Sequence, residues 1–264
     1  VAADGLTNFT VRDIVLCQPA HGPRARCLSC TGRSLCVAQT AHWRYAAYCQ
    51  AFQDVAALQS MRPGASEASA TGYGLRNLVA GEIHYPAFLT MVQDVLAGGA
   101  AAPMGRGPPV FLDLGSGLGR AVVGYAAAYA AWSVEEPQHA GAGGFPGASA
   151  ASGGATAVAS GVEIRARVHG VVMEHVVPAL PPGLRRSVSF LNDDMFAVPC
   201  TAADIVLVNA TGLEDGVWLR LQAKLEDELR PGAGVMCLSL PLPAHAFEPL
   251  PGSGRPYRMS WGNC

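Results

Sequence analysis

Short apolar runs alternate with stretches of helical spacing over most of this chain, and the alternation is the first guide to its fold. Five runs predict strands: Val110 to Leu114, Val168 to Glu174, Ser187 to Leu191, Asp204 to Asn209, and Gly234 to Leu240. Between them lie helical patterns. Pro86 opens one in which Phe88, Met91, Val92, Val95 and Leu96 share a face, with Gly98-Gly99 as its stop. Arg120 to Trp132 is alanine-rich and helical in pattern. From Glu214 to Leu229, Trp218, Leu221, Leu225 and Leu229 mark one apolar face, ended by Pro231-Gly232. Strands alternating with helices predict an α/β fold, a doubly wound and mostly parallel sheet with helices on both faces. Ligands of such sheets sit at the carboxyl ends of the strands, where Asp113, Glu174, Asp194 and Asn209 would converge.

Two regions break the pattern. Residues 137–161 are glycine, alanine and serine-rich and hold too few bulky side chains to offset the entropy of ordering, which predicts a mobile surface insertion. Residues 1–65 carry five of the eight cysteines and read as a small cysteine-rich N-terminal module, leaving 66–264 as the main domain. Within the module, Ala41 to Leu58 has a mostly helical spacing. The last ten residues, Arg255 to Cys264, look like the start of a late strand, with the final hairpin cut short or irregular.

Composition narrows the partners. The formal net charge is −2, and Lys224 is the only lysine among eighteen basic residues, so there is no strong nucleic-acid signal. No apolar run reaches the length needed to span a bilayer. The sequence starts at Val1 without an initiator methionine, so an upstream segment is expected to be missing.

The most telling local feature is Val110-Phe-Leu-Asp-Leu-Gly-Ser-Gly-Leu-Gly119, an apolar strand running into a loop with Gly115, Gly117 and Gly119. Glycines there permit positive φ and close backbone approach to a ligand. Their spacing departs from the Gly-x-Gly-x-x-Gly of dinucleotide sites, and Asp113 stands two residues before the first glycine. This form resembles motif I of class I S-adenosylmethionine (SAM) methyltransferases. Glu174 ends the next expected strand with a carboxylate able to accept both ribose hydroxyls; its plainer reading is a surface glutamate. Asp194, preferred to Asp193, would accept from an adenine amine while Met195 covers the ring; an N-cap is the alternative. Asn209 can position an amine without holding it as a cation, or can simply form a turn.

Together with Gly81-Glu82-Ile83, these residues resemble the catalytic domain of the disruptor-of-telomeric-silencing (Dot-type) histone-lysine methyltransferases over roughly residues 73 to 243. The resemblance rests on Gly81-Glu82, the glycine loop, Gly170 to Glu174, Asp194-Met195-Phe196 and Val208-Asn209. It implies a Rossmann-like class I methyltransferase fold and SAM as cofactor. Glu82, Asp113, Gly115, Ser116, Gly117, Gly119, Glu174, Asp194, Met195 and Asn209 would bind the cofactor, with Asn209 also catalytic beside the acceptor amine. The implied partner is a protein bearing an acceptor lysine, a histone among the candidates, in nucleus or cytoplasm. The chain departs from the family at Ala80, where a tyrosine is usual, and at Ala210, where a second asparagine is usual. A methyltransferase-like domain that has lost catalysis and serves as a binding or structural module is the competing expectation.

Cys27, Cys30, Cys36 and Cys49 could hold zinc, although a single Cys-x-x-Cys is a weak signal. Disulfides in a secretory compartment and free buried thiols explain the same residues equally well, so no metal is assigned.

Overall fold

The computed structural model describes residues 44–52, 65–78, 83–98, 108–129, 158–250, 253–254, 256–259 and 262–263. The chain divides into two units, Val1–Tyr45 and Ala46–Cys264. Of the first, only residues 44 and 45 are described; the sheet and its helices belong to the second. That unit begins ahead of the boundary expected near 65, because Tyr48, Ala51 and Phe52, on and just after a helix over 44–51 (α1), are buried in its core.

Five strands form one all-parallel sheet in the order β3-β2-β1-β4-β5: β1 Phe111–Leu114, β2 Ala159–Val162, β3 Val188–Leu191, β4 Ile205–Asn209 and β5 Gly234–Leu238. The fold is the expected Rossmann-like α/β class. After α2 (Ala65–Thr71) come α3 (Tyr85–Ala97), α4 (Arg120–Tyr129), α5 (Ala166–Val171), α6 (Val177–Ala179), α7 (Pro182–Arg185) and α8 (Asp215–Glu228). A two-residue antiparallel ribbon, β6 (Arg258–Met259) with β7 (Gly262–Asn263), stands apart from the main sheet.

Alternation along the central strands divides the core in two. Phe111, Ile205 and Leu207 point to one face with α3, α4 and α5; Leu112, Leu114, Val206 and Val208 point to the other with α8. On the first face Phe111 stacks on Tyr125 at 4.7 Å, and the buried Tyr125 hydroxyl donates to Pro109 O at 2.7 Å. The small residues of α4 let it lie close, and Ala121 to Ala127 are all buried. On the second face Trp218, Leu221 and Leu225 are the buried side of α8, as their spacing predicts.

Two expectations are corrected. The run from Val168 to Glu174 is not a strand: it is helical, as α5 followed by a π-turn over Val172–Val176. Val168, Val172 and Val176 fall at i, i+4 and i+8 and are all buried, so the helical period prevails over the β-branched composition. The missing strand is β2, whose first three residues lie in the stretch read as insertion; the part of that stretch before 158 lies outside the described residues.

The strand resembles linker because it must be small. A Cβ at Gly161 would come within 2.8 Å of Ser116 Cβ and of Val122 Cγ2. Gly161→Val should therefore cost about 1–3 kcal/mol, the usual range for overpacking, read as a lower melting temperature. An unchanged melting temperature would contradict the packing of β2 against the glycine loop.

Candidate functional site

A cavity of about 290 Å³ opens at the carboxyl ends of β1, β2 and β4, where the strand order reverses between β1 and β4. Its floor is the glycine loop. Gly115 (φ +86°) and Gly117 (φ +53°) have no atom within 4 Å of where a Cβ would project, so a ligand can approach their backbone. Gly115 N and Ser116 N both donate to Val162 O at 2.9 Å, which ties the loop to β2. The buried Ser116 hydroxyl has no hydrogen-bond partner among the described residues.

The wall beside the loop is built by Glu163, which follows β2 directly. One carboxylate oxygen accepts from Gly117 N at 2.9 Å and the other from Arg165 N at 2.8 Å. Burial raises the Glu163 carboxyl, although both amides and the Arg165 charge oppose it. Asp113 lies deeper, and burial first, the Glu163 charge second, push it up to about 8. An acid raised in the fold is protonated there while the unfolded chain has already ionised, so stability falls as pH climbs from about 4 to about 8. The melting temperature of the ligand-free protein should drop by several degrees between pH 5 and pH 8, and Asp113→Asn should flatten that slope.

Asp194 lies across the cavity. Its Oδ1 accepts from Phe196 N at 2.9 Å, within a turn over 195–197, and its Oδ2 accepts from Tyr73 Oη at 2.9 Å. Burial and this hydrogen bond raise the Tyr73 phenol to about 12, so it stays a donor. Asp193 Oδ1 accepts from Asp194 N at 2.8 Å. Asn209 ends β4 beside Leu238 of β5, and its Oδ1 accepts from Thr211 N at 3.3 Å, capping a 3-10 turn over Ala210–Gly212. Leu207, Leu213, Val217 and Leu238 make the cavity apolar on this side.

The structure therefore brings Asp113, Gly115, Ser116, Gly117, Asp194, Met195 and Asn209 to one cavity. It does not bring Glu174 there. That side chain is 76 % exposed on the π-turn, beside His175, because the strand it was meant to end is a helix. Gly119 is not among the residues lining the cavity; its φ of +78° goes with close packing, since a Cβ would fall 2.5 Å from the Phe190 ring. Glu82, Cys27, Cys30 and Cys36 lie outside the described residues, and Cys49 is exposed. Among the described residues no cluster of histidine, cysteine and carboxylate side chains could hold a metal. Phe196 lies under the Arg220 guanidinium at 3.8 Å, and Tyr85 packs on Tyr48 at 4.4 Å.

Sequence reasoning missed Glu163, Arg165 and Tyr73. The signal for Glu163 was available, since Gly161-Val162-Glu163 repeats the logic of Leu112-Asp113, an acid at the end of a strand. The low complexity just before it concealed the strand.

No family model matches the chain, and no curated protein matches it either. Among solved structures it is similar to an RNA methyltransferase from Salinibacter ruber in complex with S-adenosyl-L-homocysteine. That similarity has 22 % identity and a TM-score of 0.35, and covers 58 % of this chain and 73 % of the other.

Proposed function

We propose that the chain is a SAM-dependent methyltransferase whose cofactor occupies the cavity over the glycine loop. The observation that carries this is the hydrogen-bond state of the loop and the acid side chains around it. Its Gly117 amide is already given to Glu163, and four acid side chains, Asp113, Glu163, Asp193 and Asp194, line the cavity beside the guanidiniums of Arg120 and Arg165. A pyrophosphate would find the Gly117 amide committed there. A ligand carrying a sulfonium, an ammonium and a ribose suits the same groups.

Glu163 would accept the ribose hydroxyls with its remaining lone pairs, and Asp113 would face the cationic end. Asp194, held by Tyr73 and the Phe196 amide, would accept the purine amine, with Met195 against the ring. The cofactor supplies an electrophilic methyl on sulfur. The protein's part is to align a neutral nucleophile with that carbon and to exclude water, which Asn209 and the leucines around it can do without a strong base.

An alkyl amine on a protein, lysine above all, is the acceptor that we favour. The resemblance to Dot-type enzymes implies it, and the wall beside Asn209 is aliphatic, whereas nucleobase sites stack their base on rings. Radiolabelled SAM offered to histone octamers, nucleosomes, total RNA and a proteome extract tests this reading. Label in protein that survives ribonuclease is the expected result. Label confined to RNA would overturn the acceptor and keep the reaction class. No label anywhere, with SAM demonstrably bound, would favour a binding module that has lost catalysis.

A further inference from the structure

Residues 65–78, α2 and the 3-10 turn over Leu75–Leu78, run across the cavity, which Tyr73, Asn77 and Leu78 help to line. No residue of α2 is buried, so this helix has no apolar face anchoring it to the core. Apart from the buried Leu78 at its end, polar ties hold the segment, and each goes to a different loop of the site. Glu67 forms a two-pronged ion pair with Arg165 after β2, Nε to Oε1 at 3.1 Å and Nη2 to Oε2 at 3.2 Å. Tyr73 donates to Asp194 after β3 at 2.9 Å. Asn77 Oδ1 accepts from Glu214 N after β4 at 2.7 Å.

The first tie is the strongest in kind. Arg165 is 3 % exposed and Glu67 18 %, so the pair is shielded from water and salt, and its planar fork fixes direction as well as distance. A third nitrogen, Arg165 Nη1, reaches Leu78 O at 3.4 Å, which binds both ends of the segment to one guanidinium. The backbone N–H of the same arginine holds Glu163. One residue thus connects the segment to the wall of the cofactor cavity.

We propose that residues 65–78 form a strap over the cavity, latched by Glu67 on Arg165, and that the latch must open for cofactor to enter or leave. Glu67 is then a positioning residue for Glu163, acting through Arg165 and touching no reacting atom. This rests on the SAM reading for its ligand but not for its mechanics.

Stopped-flow binding of SAM and hydrogen exchange of the strap amides test the proposal on the full chain. In Glu67→Gln the SAM dissociation rate should rise on the order of tenfold or more, and exchange over 65–78 should quicken with and without SAM. A purely structural role would lower overall stability without changing exchange in this segment selectively. Tyr73→Phe, which removes the single hydrogen bond to Asp194 and leaves the Glu67–Arg165 pair intact, should raise dissociation by a smaller, few-fold factor with exchange over 65–78 also quickened, and it serves if Glu67→Gln fails to fold. Unchanged dissociation in a folded variant that binds SAM would overturn the latch. If the parent chain does not bind SAM, the cofactor reading fails while exchange still decides: selective quickening over 65–78 supports the latch, and its absence rejects it.

Discussion

Glu163→Ala should lower SAM affinity by at least about a hundredfold while Glu174→Ala leaves it unchanged. The asymmetry follows from position. Glu163 is 8 % exposed and grips Gly117 N and Arg165 N, so its removal takes away the ribose acceptor and also frees the glycine loop and the residue that bears the latch. Hydrogen bonds to a carboxylate are each worth about 1.5–3 kcal/mol, and the loss of two or three of them explains the size of the effect. Glu174 is on the surface of a helix and has no atom at the cavity. Calorimetric titration of the two variants checks this directly; a large loss in Glu174→Ala with none in Glu163→Ala would sink the assignment of the site.

Asn209→Ala should slow methyl transfer on the order of a hundredfold with little change in SAM affinity. The residue ends β4 at the aliphatic side of the cavity, away from the Tyr73–Asp194 pair that would hold the purine. Its amide oxygen can accept from an incoming amine and align the lone pair without a charge that would trap the ammonium form. The same oxygen accepts from Thr211 N, so the substitution also loosens a turn; Asn209→Asp keeps that acceptor and separates the two roles. Single-turnover kinetics on whichever protein accepts label measures the effect. A variant that transfers as fast as the parent would leave Asn209 as a turn former only.

The parts of the fold legible in the sequence are those whose local pattern has one reading. The glycine loop after β1, the buried stripes of α3 and α8, and the apolar runs of β3, β4 and β5 stand where their spacing puts them. The second strand was not legible, because tight packing against Ser116 and Val122 demands Gly161, and an Ala-Ser-Gly strand has the composition of a linker. Valines carried the opposite error at 168, 172 and 176, where β-branching suggested a strand although the four-residue spacing belonged to a helix. That single exchange moved the second acid of the site from 163 to 174. The strap was invisible for another reason: Glu67 and Arg165 are 98 residues apart in sequence, and such an ion pair leaves no local signature.

Calorimetric titration of the intact chain with SAM and, separately, with NAD is the most direct measurement of the central claim. An acid-lined cavity whose loop amide is already committed to Glu163 should bind SAM at one site and leave NAD unbound. Binding should release protons below pH 8, since a cationic ligand beside Asp113 favours its ionised form, and the apparent heat should therefore change with the ionisation enthalpy of the buffer. Saturable binding of NAD with no heat from SAM would contradict the assignment.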